Sequence, residues 1–151
     1  MAITASGLYG LSLEKMLIDT LGQSLEAEDN KVGLVLDGYT HDYDTHDFHA
    51  DLTNEHSGGN YVKEALIATE ITLGGPGTLT YDAQDTLFDN GGSDDVTITD
   101  AMAAVVWTEI GASATDQLIG LWDFGTTAAS TNSTFTVEWN GSGLFTLDYT
   151  P

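Results

Sequence analysis

Apolar and β-branched residues in this chain come in short runs, each cut off by glycine, asparagine, aspartate or serine. A helical bundle cannot use that pattern, because its elements need ten or more residues of 3.6-residue periodicity; short strands joined by tight turns can. The segment 31–37 (Lys-Val-Gly-Leu-Val-Leu-Asp) is one such run, long enough for a strand and too short for a helix. Others lie at 62–73, 78–81, 96–99, 103–110, 118–124, 134–139 and 144–149. Within 134–139, Phe135, Val137 and Trp139 alternate with Thr134, Thr136 and Glu138, so one face is buried and the other wet. The last two runs flank Asn140-Gly141-Ser142-Gly143, an Asn-Gly signal that predicts a C-terminal hairpin.

One segment departs from this pattern. Leu13, Met16, Leu17, Leu21 and Leu25 recur at helical spacing, which predicts a helix over 12–25 with Ser12 as N-cap and Glu14 in the first turn. Gly22 weakens its last turn by about 1 kcal/mol relative to alanine. The expected fold class is mainly β: an antiparallel β-sandwich or jelly-roll-like barrel with one N-terminal helix. A single domain spans 1–151, with an N-terminal arm over 1–11.

Charge narrows the partners. The formal net charge is −21, from 24 Asp and Glu against Lys15, Lys31 and Lys63, with no arginine. Nucleic acid and anionic membranes need clustered cations, so neither is expected as a ligand. The hydrophobic fraction of 41% excludes a disordered chain. Self-repulsion at this charge is relieved in concentrated salt, where the Debye length shrinks to about 3 Å, so a salt-rich setting is expected, the alternative being an acidic protein at ordinary ionic strength. With no cysteine there is no disulfide, thiolate nucleophile or zinc-thiolate site. No apolar run reaches the roughly 18 residues of a membrane span, and the start Met1-Ala2-Ile3-Thr4 lacks the pattern of an export signal.

The densest concentration of reactive side chains is His41-Asp-Tyr-Asp-Thr-His46-Asp-Phe-His49-Ala-Asp51, with His56 close behind. Asp42, Asp44, His46, Asp47 and His49 are the candidate metal ligands, the carboxylates suiting hard cations and the imidazoles borderline ones. The competing reading is a polar connection whose Asx side chains satisfy backbone groups while Tyr43 and Phe48 pin it to the core. A second acidic stretch, 82–95, lacks the ligand order of a calcium loop and reads as solvated turns. No G-x-S-x-G or S-x-x-K motif is present. Gly74-Gly75-Pro76-Gly77 lacks the Lys-Ser/Thr of a phosphate loop and reads as a turn, and Trp107, Trp122 and Trp139 read as core. No enzyme and no cofactor are expected, loosely held cations aside.

Several pieces, in order, are familiar: Ala2-Ile-Thr-Ala-Ser-Gly-Leu-Tyr9, Lys31-Val-Gly-Leu-Val-Leu36, Tyr43-Asp-Thr-His-Asp-Phe48 with Thr53-Asn-Glu-His-Ser-Gly58, Leu118-Ile-Gly-Leu-Trp-Asp-Phe-Gly125, Asn132-Ser-Thr-Phe-Thr-Val-Glu-Trp139 and Gly143-Leu-Phe-Thr-Leu147. Together they cover most of the chain, which resembles small structural proteins encoded in the head-gene regions of tailed viruses. The segment 56–66 is less glycine-rich than the family's usual pattern, and basic positions expected near 101–107 are absent. With the acidic surface, this second departure suggests a haloarchaeal virus.

The resemblance implies a non-enzymatic virion protein that decorates or cements an icosahedral capsid. Its partners would be the major capsid protein and further copies of itself, and its location the capsid surface after synthesis in the host cytoplasm. It also implies that the stretch 43–48 is a family loop. Ile3, Leu8 and Tyr9 of the apolar arm are the candidate partner contacts; the alternative is that the arm covers its own core. A vertex turret, head–tail junction or tail component is the second virion reading. A cation- or glycan-binding β-sandwich is the reading from another class.

Overall fold

The computed structural model describes residues 3, 5–75 and 77–150. Its centre is a five-stranded antiparallel sheet of order β1-β8-β7-β2-β3, built from β1 (Gly7–Leu8), β2 (Lys31–Leu36), β3 (Glu64–Ala65), β7 (Val96–Trp107) and β8 (Leu118–Ser133). In the middle three strands, runs such as Val-Gly-Leu-Val-Leu and Ala-Ala-Val-Val-Trp are apolar on both faces because both faces are covered.

On one face, Val32, Leu34, Ala104, Val106 and Ile119 share a core with Tyr81, Phe88 and Val137. Those last residues come from two smaller antiparallel sheets. One is β10-β5-β4, from β4 (Glu70–Gly74), β5 (Thr78–Asp82) and β10 (Phe145–Asp148); the other is β6-β9, from β6 (Thr86–Phe88) and β9 (Phe135–Val137). The arrangement is sandwich-like, as the alternating runs implied. On the other face, Val35, Ala103, Val105, Trp107 and Leu121 pack with Ile3, Tyr9 and Tyr39, under the arm and the histidine-rich segment.

Three local expectations are corrected. The helix α1 is Gly10–Leu17, not 12–25. Pairing of β1 with β8 and the Tyr9 N–H bond to the Ile119 carbonyl start it early, and Asp19, at φ 53°, follows its end. Ser12 is therefore inside the helix, fully buried, donating its hydroxyl hydrogen bond to the Leu118 carbonyl instead of capping. Leu21 and Leu25 still reach the core, from an irregular segment.

The C-terminal hairpin does not form. Gly143 N–H bonds the Asn140 carbonyl at 2.7 Å, so the turn exists, but β9 pairs with β6 and β10 pairs with β5. Leu144 N–H goes to the Tyr81 carbonyl at 2.8 Å, sending β10 to the other small sheet; tertiary pairing overrides the local signal. Finally, the run 62–73 splits between two sheets at Ala68, which adopts φ 51°, whereas 96–99 and 103–110 largely merge into the bulged strand β7.

Candidate functional site

The histidine-rich segment lies across the second face of the main sheet, and its polar groups are mostly used within the chain. Asp42 Oδ1 accepts hydrogen bonds from the Asp44 and Thr45 amides at 3.0 and 3.1 Å, which hold its carboxyl below the usual range. The Asp47 amide, like that of Phe48, donates to Asp51 Oδ2 at 2.9 Å. These are the Asx contacts of a polar connection. Tyr43 donates to the Ala5 carbonyl at 2.6 Å and packs its ring edge-on to Tyr9; burial pushes its phenol up to about 12.

The histidines are individually engaged. His46 Nδ1 is 2.9 Å from the Tyr39 hydroxyl, which is 3.1 Å from the Tyr9 hydroxyl, so a hydrogen-bonded chain runs from the loop into the core. Burial raises the pKa of both phenols. His49 stacks on Trp107 at 4.4 Å, and Lys63 Nζ sits 5.1 Å from the centroid of the same ring. Lys63 Nζ is 2.9 Å from His49 Nε2 and 3.0 Å from Glu55 Oε2. Lysine can only donate, so His49 Nε2 accepts in that contact; the 3.3 Å approach of the same nitrogen to Glu55 becomes a hydrogen bond when His49 is protonated. Burial pushes the Glu55 carboxyl up, but His49 and Lys63 outweigh it and hold the carboxyl below its ordinary value.

Asp42, Asp44, His46, Asp47 and His49 are thus close in sequence without forming a ligand set. Among the described residues, no three His, Asp or Glu side chains converge as a metal site would require. Sequence reasoning missed Glu55, Lys63 and Trp107 as the partners of His49, since they come from three separate segments.

The arm is also drawn inward. Ile3 and Tyr9 are 2% and 0% exposed in the chain's own core, and Gly7–Leu8 forms the edge strand against β8. Of the three expected contact residues, Leu8 alone is only half-buried; it lines a small cleft of about 170 Å³ with Trp122 and Phe145.

A larger apolar surface was not foreseen. In the β10-β5-β4 sheet, Ile71, Tyr81 and Phe145 are register partners, as are Leu73, Leu79 and Leu147, so the two rows share one face; Thr72, Thr80 and Thr146 lie on the other. In the first row Tyr81 is buried and donates to the Leu25 carbonyl at 2.7 Å, Phe145 packs on the core, and Ile71 at the sheet edge stays exposed. Toward the second row the cover stops. A groove of about 480 Å³ remains between this sheet and α1 with its trailing segment, lined by Met16, Leu17, Leu21, Ile71, Leu79 and Leu147. Leu17 and Leu73 are 77% and 78% exposed. Leu13, Leu25 and Phe145 with Lys15, Asp19, Gln23 and Ser24 complete the lining, a composition suited to burying apolar surface. Leu17 entered the sequence reading only as part of the helical spacing, because the pairing of β10 with β5 decides what faces the helix.

Comparison with protein-family models, curated proteins and solved structures finds no match for this chain.

Proposed function

We propose that this chain is a non-enzymatic structural protein of a virion, one that decorates or cements the outer surface of an icosahedral capsid by binding capsid subunits. The observation that carries the reading is the open apolar groove beside α1 on a domain of net charge −21. A contiguous apolar patch on an otherwise highly charged domain marks a protein contact. The viral context comes from the ordered segments between residues 2 and 147 that resemble head-region structural proteins. Packaged nucleic acid pushes outward on a capsid, and a small β-domain joined to neighbouring subunits adds buried interface at each junction, roughly 800 Å² per partner in a standard contact. Repetition over the lattice multiplies a modest local gain.

Cryo-electron microscopy of virions purified from the encoding virus tests this. Density for the chain bridging capsid subunits is the expected result. Density confined to a vertex, neck or tail replaces decoration with the second virion reading, and absence of the chain from virions overturns both.

A further inference from the structure

We propose that the groove between α1 and the β10-β5-β4 sheet is the docking site for one apolar segment flanked by lysine or arginine. Resting on the reading above, that segment belongs to a capsid subunit. Three features of the groove support this.

The first is incomplete cover. The sheet presents two apolar rows on one face, and of their six residues the chain fully buries only Tyr81. Leu79 and Leu147 continue the same surface into the groove with Leu17, and Leu73, the register partner of Leu79, is exposed beside them. At about 480 Å³ the groove is within the roughly 300–1,000 Å³ range of binding pockets, room for a few side chains of an inserted segment.

The second is how that segment enters. Ile71 N–H, on the free edge of β4, already donates to Glu26 Oε1 at 3.1 Å. Strand addition along this edge would first have to displace Glu26, which favours insertion of side chains between helix and sheet.

The third is charge. Around the groove, α1 and its trailing segment carry Glu14, Asp19 and Glu26 against Lys15, whereas Glu70, Asp82 and Asp148 lie on the threonine face of the sheet, away from it. A second copy would bring the same acidic rim and another net charge of −21. A segment with cationic flanks instead gains contact pairs at the rim and electrostatic steering.

The test uses the full chain and three short synthetic amphipathic peptides: leucine/lysine, leucine/glutamate, and serine/lysine of the same charge as the first. Binding is followed by fluorescence anisotropy, and the site by methyl NMR of the leucines. The leucine/lysine peptide should bind and shift the Leu17, Leu73 and Leu147 methyls. The serine/lysine peptide should bind roughly tenfold more weakly, and the leucine/glutamate peptide not at all. Leu17 and Leu73 are largely exposed, so the double variant L17S/L73S should keep its melting temperature and lose affinity for the leucine/lysine peptide by about tenfold. Raising salt from about 0.15 to 1 M should weaken binding as the Debye length falls from about 8 to 3 Å.

Equal binding of both lysine peptides, or unchanged affinity in the double variant, overturns the proposal. So does a concentration-dependent dimer, seen by sedimentation, that salt strengthens and L17S/L73S dissolves, because a second copy is then the occupant. If L17S/L73S still joins virions as the parent chain does, the groove assignment falls while the virion reading stands.

Discussion

Gly33 is at the centre of β2, opposite Val105, where an added methyl group has nowhere to go. A Cβ there would sit 2.8 Å from Trp107 Cη2 and Cζ3 and 2.9 Å from Glu55 Oε1. The ring is 1% exposed and stacked on His49, so it can retreat only by displacing the histidine-rich segment. In an unconstrained strand, glycine to alanine is favourable by roughly 0.5–1 kcal/mol. Here overpacking costs about 1–3 kcal/mol, which reverses the sign and leaves G33A about 1–2 kcal/mol less stable than the parent. For a chain of 151 residues this lowers the melting temperature by about 2–8 °C. Differential scanning calorimetry measures it, with tryptophan fluorescence reporting the altered ring environment. The W107F background removes the crowding ring atoms and leaves only the Glu55 contact, so G33A should there cost less, and a double-mutant cycle isolates the coupling. A parent-like melting temperature for G33A, or the same loss in both backgrounds, would refute the steric argument.

Replacing Tyr39 with phenylalanine removes the hydroxyl that joins Tyr9 to His46, leaving the buried Tyr9 hydroxyl without that partner. The expected cost is about 1–3 kcal/mol by urea denaturation, and an unchanged midpoint contradicts it. Glu55 has a folded-state pKa below its unfolded value, so its contribution is present above the unfolded value of about 4.3 and is lost as pH falls through the folded one. Melting temperature should therefore drop in this acid window, and more steeply in the parent than in K63M, which lacks the Lys63 partner; parallel profiles exclude the role given to Lys63. Screening of a net charge of −21 should raise the melting temperature between about 0.1 and 1 M sodium chloride, and a flat or falling curve removes the case for a salt-rich setting.

The central strands were legible because they obey local rules. Lys31–Leu36 forms the strand its composition implied, and Phe135 and Val137 turn inward while Thr136 stays wet. Asp42 behaves as an Asx residue in a turn should, whatever lies beyond it. The helix was half legible: leucine spacing predicted it over 12–25, but Asp19 ends it before Leu21 and Leu25, which reach the core from an irregular segment. Neither the cage around His49 nor the groove beside Leu17 was legible.

Alternation, turn residues and charge are properties of neighbours along the chain, so they are enough to specify a mainly β, highly acidic domain and the apolar face of each strand. Which strands pair depends on contacts between distant segments. Asn140-Gly141 makes its turn, yet β10 leaves β9 for β5 because Leu144 and Phe145 find cover against Tyr81. That one choice aligns Leu147 with Leu79 and Leu73, and helix α1 stops before it can cover them, which is why the groove exists.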